Sequence, residues 1–262
     1  MCRLLGIYGQ TDIWRDIAMA FSQQAEFGHI PPAENQEPGH KDGWGITIAN
    51  RNKTAMIPVV RQLGPAHEAS GYREAVYATP GNPDLLLCHL RKASDIIPIT
   101  LSNTHPFHHN GWALTHNGTI FKAESLPRDP SLTLTSDGSD SEHFFHYLLT
   151  KIMSRPQDQT IARTIATAVA AIDADYNALN GMLSNGSELY VIRRYRKWEA
   201  YYTMYYCTLP GCVIFCSQPI ESPHLKPNNW KELPNDRLLR IYDTPLKIDE
   251  IKIHSSHSPC DP

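Results

Sequence analysis

The first candidate for chemistry is Cys2, which directly follows the initiator methionine. Removal of Met1 would leave Cys2 with a thiol and a free α-amine on the same residue. The ordinary pKa values of these two groups lie close together and near neutrality, so the amine can serve as the base for a nucleophilic sulfur. The alternative is that Cys2 only packs in a core, and this residue alone does not decide between the two.

A second candidate is Arg91, which ends the apolar run of residues 85–90. Such a continuous run is typical of a strand that is buried on both faces. Arg91 is therefore either a surface residue beyond the end of the strand or a preorganised fork for a carboxylate. The sequence leaves both interpretations open.

The dipeptide Asn117-Gly118 follows another strand-like segment, residues 112–116. Asn-Gly is a strong turn signal, so a simple turn is one interpretation. The functional alternative is an oxyanion hole, because an Asn side-chain amide and the next backbone N–H can converge on one oxygen. The loss of one such donor costs about 3–4 kcal/mol in a transition state.

Asp140 stands where the sequence predicts that a helix begins, within the segment Gly138-Ser139-Asp140-Ser141-Glu142. It is either the N-cap of that helix or a pocket carboxylate that pairs with a substrate ammonium group. Glu142 falls in the first turn, where its charge favours the helix dipole.

Together these segments resemble the glutaminase domain of class II glutamine amidotransferases, which are N-terminal nucleophile hydrolases. The resemblance extends over essentially the whole chain and is closest to stand-alone members without a synthase domain. The motifs that carry it occur in the family's order: Cys2, His40-Lys41-Asp42-Gly43-Trp44-Gly45, His89-Leu90-Arg91, Asn103-Thr104-His105-Pro106, His116-Asn117-Gly118 and Ser139-Asp140-Ser141-Glu142.

The resemblance implies a role for each matching residue. Cys2 matches the nucleophile that attacks the side-chain amide of glutamine and forms a glutamyl thioester. Arg91 matches the residue that binds the α-carboxylate, and Asp140 matches the partner of the α-ammonium group. Asn117 and Gly118 match the oxyanion hole. The residues themselves agree, because free glutamine offers two opposite charges and one neutral amide to recognise.

Two further residues, His105 and Ser94, are expected beside the bound substrate. Lys92 departs from the tryptophan that several larger family members carry after the arginine, so closure over the substrate is expected to differ. Stand-alone relatives also act on γ-glutamyl peptides or thiol compounds, and any such preference would come from residues 28–42 and 92–104. A catalytically silent homologue that binds glutamine or a partner protein is the competing hypothesis.

A metal site is a third hypothesis, because several histidines are close together in sequence: His105, His108, His109 and His116. No carboxylate or thiolate is near them in sequence to complete a ligand set. The sequence therefore predicts neither a metal nor a cofactor.

The elements that must position these residues follow from hydrophobic periodicity, with strands at both ends of the chain and helices in the middle. Two packed antiparallel sheets with helices outside them accommodate this order, so the predicted class is α+β, a four-layer αββα sandwich. Asn185-Gly186 is predicted to form a hairpin turn. The predicted helices are 13–27 (with Asp12 as N-cap), 140–152 and 159–174, and the predicted strands are 3–9, 43–49, 55–60, 85–90, 112–116, 181–185, 188–194, 200–207, 213–217, 237–242 and 246–254.

Composition limits the remaining possibilities. The chain has 262 residues, 41% hydrophobic and 19% charged, which is typical of a globular protein, and residues 1–262 are expected to form one domain. The net charge of -3 gives no reason to expect nucleic acid or membrane as a partner. We expect a small-molecule substrate, a separate synthase or peptidase subunit as partner, and a cytoplasmic location. Cys207, Cys212 and Cys216 are expected to be buried in the core.

Overall fold

Two antiparallel sheets form the centre of the protein in the computed structural model, which describes residues 2–31, 37–50, 55–94, 97–243 and 245–254. Sheet A contains seven strands: β1 (Arg3–Tyr8), β2 (Gly43–Ala49), β3 (Ile57–Gln62), β4 (Leu85–Arg91), β9 (Tyr205–Leu209), β10 (Cys212–Cys216) and β11 (Lys231–Glu232). Their order is β11-β9-β10-β1-β4-β2-β3. Cys2 directly precedes β1 and Arg91 is the last residue of β4, and these two strands are neighbours near the centre of this sheet.

Sheet B contains six strands: β5 (Phe107–His109), β6 (Trp112–Ile120), β7 (Tyr176–Ser184), β8 (Leu189–Arg193), β12 (Arg237–Tyr242) and β13 (Lys247–Lys252). Their order is β13-β12-β8-β7-β6-β5. The predicted Asn185-Gly186 turn joins β7 to β8, and the Asn185 side-chain oxygen accepts hydrogen bonds from the backbone N–H groups of Ser187 and Glu188. That prediction is confirmed.

In the described part of the chain, five α-helices cover the outer faces: α1 (Trp14–Ser22), α2 (Gln24–Phe27), α3 (Ser70–Ala78), α4 (Asp140–Met153) and α5 (Ile161–Ala170), with short 3₁₀ helices at Ala123–Ser125 and Pro227–Asn229. The single helix predicted for residues 13–27 is in fact two, divided at Gln23. The predicted N-cap at Asp12 is wrong, because Ile13 occupies that position and the Asp12 carboxylate accepts from the Asn82 side chain at 2.6 Å. Helix α3 was not predicted.

The apolar side chains form three layers, which gives the four-layer αββα arrangement. Leu87 of β4 and Met182 of β7 belong to the cluster between the two sheets. Phe21 of α1 packs in the cluster on the outer face of sheet A. Phe144 of α4 packs in the cluster on the outer face of sheet B. The predicted fold class is confirmed.

The cysteines in the described part of the chain are free thiols, and those predicted to lie in the core, at 207, 212 and 216, are buried. Cys260 lies outside the described residues. Within the described ranges, we find no helix that is both long enough and apolar enough to span a lipid bilayer.

Candidate active site

Cys2 lies at the start of β1 and is buried, with 8% of its surface exposed. Its backbone nitrogen donates a hydrogen bond of 2.9 Å to the side-chain oxygen Oδ1 of Asn117. Its sulfur is 3.9 Å from the carbonyl oxygen of Lys92, which follows β4. The residue thus lies between the central strands of sheet A and strand β6 of sheet B.

Asn117 is fully buried inside β6, opposite Asn180 of β7, so the interpretation of Asn117-Gly118 as a turn is wrong. Because Oδ1 accepts from Cys2, the orientation of the amide is fixed and Nδ2 is the remaining group. Among the described residues, Nδ2 has no hydrogen-bond partner. A buried donor without a partner is costly in a folded protein. Such a donor beside a thiol is suited to bind a developing oxyanion.

Gly118 occupies a position that no other residue fits. A Cβ built there would lie 1.8 Å from the carbonyl oxygen of Ala178 on the neighbouring strand. The register between β6 and β7 shifts between Gly118 and Ile120, which is an irregularity of the β-bulge kind. Bulges redirect backbone groups next to functional sites, and Gly118 and Thr119 both line the pocket beside Cys2.

Arg91 is buried at the end of β4, with 4% exposure, so the interpretation as a surface residue is wrong. Its Nη2 donates to the carbonyl oxygen of Pro98 at 2.9 Å. No described residue accepts a hydrogen bond from its Nη1. One arm of the guanidinium is therefore anchored, and the other is a buried donor in the wall of the pocket, suited to a carboxylate.

Asp140 is the first residue of α4, and Ser139 occupies the N-cap position, so the N-cap interpretation of Asp140 is wrong. Its Oδ2 accepts from the backbone N–H of Ile120 at 2.8 Å, which ties the carboxylate to the irregular end of β6. Oδ1 lies 3.5 Å from the hydroxyl of Ser141. The carboxylate also lines the pocket.

Three buried histidines form the wall behind the pocket. The rings of His89 and His105 are stacked with centroids 4.1 Å apart, and His116 Nδ1 is 2.9 Å from the Ser141 hydroxyl. Burial lowers the pKa of His89 to about 3 and that of His116 to about 4, and burial together with the neighbouring histidines lowers the pKa of His105 well below its ordinary value. These imidazoles are therefore neutral at physiological pH.

Neither ring nitrogen of His105 has a hydrogen-bond partner within the described ranges. In the same ranges, no group of three or more histidine, cysteine or carboxylate residues is arranged to hold a metal ion. A neutral His105 in the pocket wall can instead donate or accept one hydrogen bond to a bound polar molecule.

The predicted site residues come together around one small pocket between the ends of the sheets, with a cavity of about 40 Å³. All of them except Asn117, which lies against the Cys2 backbone, line it: Cys2, Arg91, Ser94, His105, Gly118 and Asp140. Asn103, His116 and Ser141 also line the pocket, and the sequence assigned none of them a role in substrate binding or catalysis. The sequence signal that could have identified them is that each belongs to one of the family motifs: Asn103-Thr104-His105-Pro106, His116-Asn117-Gly118 and Ser139-Asp140-Ser141-Glu142.

Glu142 is a further residue whose role the sequence did not indicate. It lies in the first turn of α4 as predicted, but its carboxylate accepts hydrogen bonds from the backbone N–H groups of Thr135 and Ser136. Burial alone would raise the pKa of this carboxyl, but hydrogen bonds from Ser136 and Thr135 hold it below its ordinary value. Glu142 thus fixes the loop that leads to Asp140.

The two-sheet fold thus brings Cys2, Arg91, Gly118 and Asp140 together around one pocket. The family model for class II glutamine amidotransferases matches residues 1–208, and the chain belongs to this family.

Individual relatives agree with this assignment. Over 159 residues the chain is 28% identical to YafJ of Escherichia coli (strain K12), a protein named as a candidate glutamine amidotransferase. The match covers 59% of this chain and 56% of YafJ, so it spans little more than half the length of that relative.

Solved structures share the fold. A glutamine aminotransferase class-II domain protein from Silicibacter pomeroyi superposes with a TM-score of 0.62 at 18% identity, covering 96% of this chain and 99% of that one. The glutamine phosphoribosylpyrophosphate amidotransferase of B. subtilis also gives a TM-score of 0.62, at 15% identity, covering 97% of this chain and 49% of that one. At these identities, the likeness concerns the fold.

Proposed function

We propose that this protein hydrolyses the side-chain amide of glutamine, or of a related γ-glutamyl compound, through a thioester on Cys2. The observation that carries the proposal is the contact between Cys2 and Asn117. The Asn117 oxygen is 2.9 Å from the Cys2 nitrogen, and its buried Nδ2 has no partner within the described part of the chain. One side chain would thus orient the base and stabilise the oxyanion.

The proposed reaction begins after removal of Met1, when the α-amine of Cys2 takes the proton of its own thiol. The sulfur attacks the amide carbon, and the oxygen's developing charge is bound by Asn117 Nδ2 and the backbone N–H of Gly118. The C–N bond then breaks, and the nitrogen leaves with the proton held by the Cys2 ammonium group. Water, deprotonated by the same amine, attacks the thioester and releases glutamate and the thiol.

Substrate recognition is proposed to rest on the two charges of the glutamyl group. The Nη1 arm of Arg91 would bind the α-carboxylate, and the carboxylate of Asp140 would bind the α-ammonium group. His105 and Ser94 would complete the wall with neutral hydrogen-bonding groups. Because every γ-glutamyl compound shares this head, the same residues serve glutamine, γ-glutamyl peptides and γ-glutamyl thiol compounds.

The wider setting is also a proposal. Residues 1–262 would act as one domain, with a separate synthase or peptidase subunit to use the ammonia or the amine product. The free thiols among the described cysteines favour a reducing compartment, which supports a cytoplasmic location.

The test is glutamate release from glutamine and from several γ-glutamyl amides by protein whose loss of Met1 has been verified by mass spectrometry. We expect release by the parent protein and none by Cys2→Ala. Cys212→Ala is the matched control, because this buried thiol has a pKa raised to about 11 by burial and lies on β10. Processed protein that releases glutamate from none of these substrates would refute the enzyme and favour a catalytically silent glutamine-binding protein.

A further inference from the structure

The two proposed charge-binding groups, Arg91 and Asp140, stand on different segments of the chain. Arg91 ends β4 and is anchored by the carbonyl of Pro98 in the loop of residues 97–104. Asp140 begins α4 and directly follows the loop of residues 135–139. A substrate held at both ends requires these two loops to keep a fixed separation.

A chain of hydrogen bonds runs from Arg91 to the second loop. The Pro98 carbonyl that accepts from Arg91 Nη2 also accepts from Asn103 Nδ2 at 3.0 Å. Asn103 is buried, and its Oδ1 accepts from the backbone N–H of Asp137 at 3.0 Å. The amide of Asn103 therefore joins the anchor of Arg91 to the backbone of the loop that carries Asp140.

The side chain of Asp137 strengthens the same junction from outside. Its Oδ2 accepts hydrogen bonds from the hydroxyls of Ser102 at 2.7 Å and Thr100 at 2.9 Å. The two hydroxyls are 2.9 Å from each other. The hydrogen bond from Ser102, and to a lesser extent that from Thr100, lowers the pKa of the Asp137 carboxyl below its ordinary value. The carboxyl is therefore ionised at neutral pH.

The second loop is rigidly attached on its other side. Glu142 of α4 accepts from the backbone N–H groups of Thr135 and Ser136, and the Ser136 hydroxyl accepts from the backbone N–H of Ser139 at 3.2 Å. A displacement of Asp137 is therefore transmitted to the start of α4, where Asp140 stands. Asp137 itself is exposed and is not among the described residues that line the pocket.

We propose that Asp137 is a positioning residue, which fastens the loop of residues 97–104 to the start of α4 and so fixes the guanidinium of Arg91 relative to the carboxylate of Asp140. The proposal rests on the proposed function, since it assumes that a glutamyl group binds between these two charges. Small displacements of preorganised binding groups have large effects on affinity and rate.

The test measures the affinity for L-glutamine by calorimetry in Cys2→Ala protein, which does not depend on turnover. Asp137→Ala should weaken binding roughly tenfold, the scale expected when a preorganised group is loosened rather than removed. Asp129→Ala is the matched control. Asp129 is partly exposed and also accepts from a serine hydroxyl, at 2.6 Å from Ser131, but this bond stays within its own loop. It should change the affinity less than twofold.

Two further measurements separate positioning from a general loss of structure. Asp137→Asn keeps an acceptor for the hydroxyls and should restore most of the affinity. Glutaramate, which lacks the α-ammonium group, engages only the Arg91 side and should lose less affinity than glutamine when Asp137 is replaced.

Equal losses for glutamine and glutaramate, or equal effects of the Asp137 and Asp129 replacements, would overturn the proposal. Failure of Cys2→Ala protein to bind glutamine would overturn it as well. If glutamine binds and the binding depends on Asp137 while the processed parent protein releases no glutamate, the positioning role stands and the hydrolase proposal fails.

Discussion

Replacement of Asn117 by alanine should separate activity from stability in this protein. The side chain makes one hydrogen bond, from the Cys2 nitrogen to Oδ1, and presents an unpartnered Nδ2 within the described part of the molecule. The alanine variant therefore loses a proposed oxyanion donor and one ordinary hydrogen bond. It also loses the buried Nδ2 group, which has no hydrogen-bond partner among the described residues.

The expected effect on activity is large. Removal of one oxyanion-hole donor lowers kcat by about 10²–10³, which is about 2.7–4 kcal/mol of transition-state stabilisation. The expected effect on stability is small. Loss of the Asn117 oxygen leaves the buried Cys2 nitrogen unpaired, which costs about 1–3 kcal/mol, and removal of the unsatisfied Nδ2 relieves a penalty of about 1–3 kcal/mol, so the two changes largely offset each other. The free energy of unfolding should change by less than about 2 kcal/mol.

Asn180 provides the matched control, because it is equally buried and faces Asn117 across the β6–β7 pair. Both ends of its amide are bonded, Nδ2 to the carbonyl of Tyr202 at 3.0 Å and Oδ1 to the N–H of Arg194 at 2.9 Å. Asn180→Ala leaves these groups unpaired and should lower the free energy of unfolding by about 2–4 kcal/mol. Its kcat should stay within tenfold of the parent value.

The assay is steady-state glutamate release from glutamine, with unfolding followed by urea titration for each variant. The proposed oxyanion role of Asn117 fails if Asn117→Ala retains kcat within tenfold of the parent protein while remaining folded. It fails equally if both asparagine variants lose stability to the same extent, since the Asn117 amide would then be a structural group like that of Asn180.

Three other predictions concern the same region. Arg91→Lys keeps the charge but loses the fork, so KM for glutamine should rise about 10- to 100-fold with a smaller change in kcat, and an unchanged KM would contradict the carboxylate role. Gly118→Ala should lower the melting temperature by several degrees, because its Cβ would lie 1.8 Å from the Ala178 oxygen, and a variant as stable as the parent would count against the bulge argument. Burial lowers the pKa of His89 to about 3 and that of His116 to about 4, so below pH ~6.5 the unfolded chain takes up protons that the folded protein excludes. The free energy of unfolding should therefore fall from pH ~6.5 to ~4, by up to about 1.4 kcal/mol per pH unit for each histidine, and His89→Gln should flatten this slope in urea titrations.

Two Asn-Gly dipeptides show how far local sequence determines structure here. Asn185-Gly186 forms the predicted turn, since Asn185 bonds to the following N–H groups and Gly186 has a φ of 89°. Asn117-Gly118 has the same local signal but continues a strand. Both residues pair with β7, and the Cys2 nitrogen donates a hydrogen bond to the Asn117 side-chain oxygen. Tertiary pairing overrode the turn preference there, and the family motif was the signal that favoured the proposed oxyanion hole over a turn.

Strands whose apolar runs end abruptly were predicted most closely, as β2 (Gly43–Ala49) and β12 (Arg237–Tyr242) show. Helix α3 was missed because only Tyr72 and Val76 of its residues are buried, which leaves little apolar periodicity to detect. The bonds from Asp137 to Asn103, Ser102 and Thr100 join segments more than thirty residues apart, and such contacts leave no pattern in local sequence.

The proposed nucleophile and the proposed carboxylate-binding arginine belong to sheet A, whereas the proposed oxyanion donors and the proposed ammonium partner belong to sheet B or to the helix that packs on it. The layer of apolar side chains between the sheets, in which Met182 lies 2.6 Å from where a Cβ on Gly6 would stand, would therefore set the geometry of the proposed reaction as well as that of the fold. A shift of about 1 Å between the sheets would be enough to slow catalysis up to a hundredfold. Substitutions in this layer should therefore lower the turnover rate before they prevent folding.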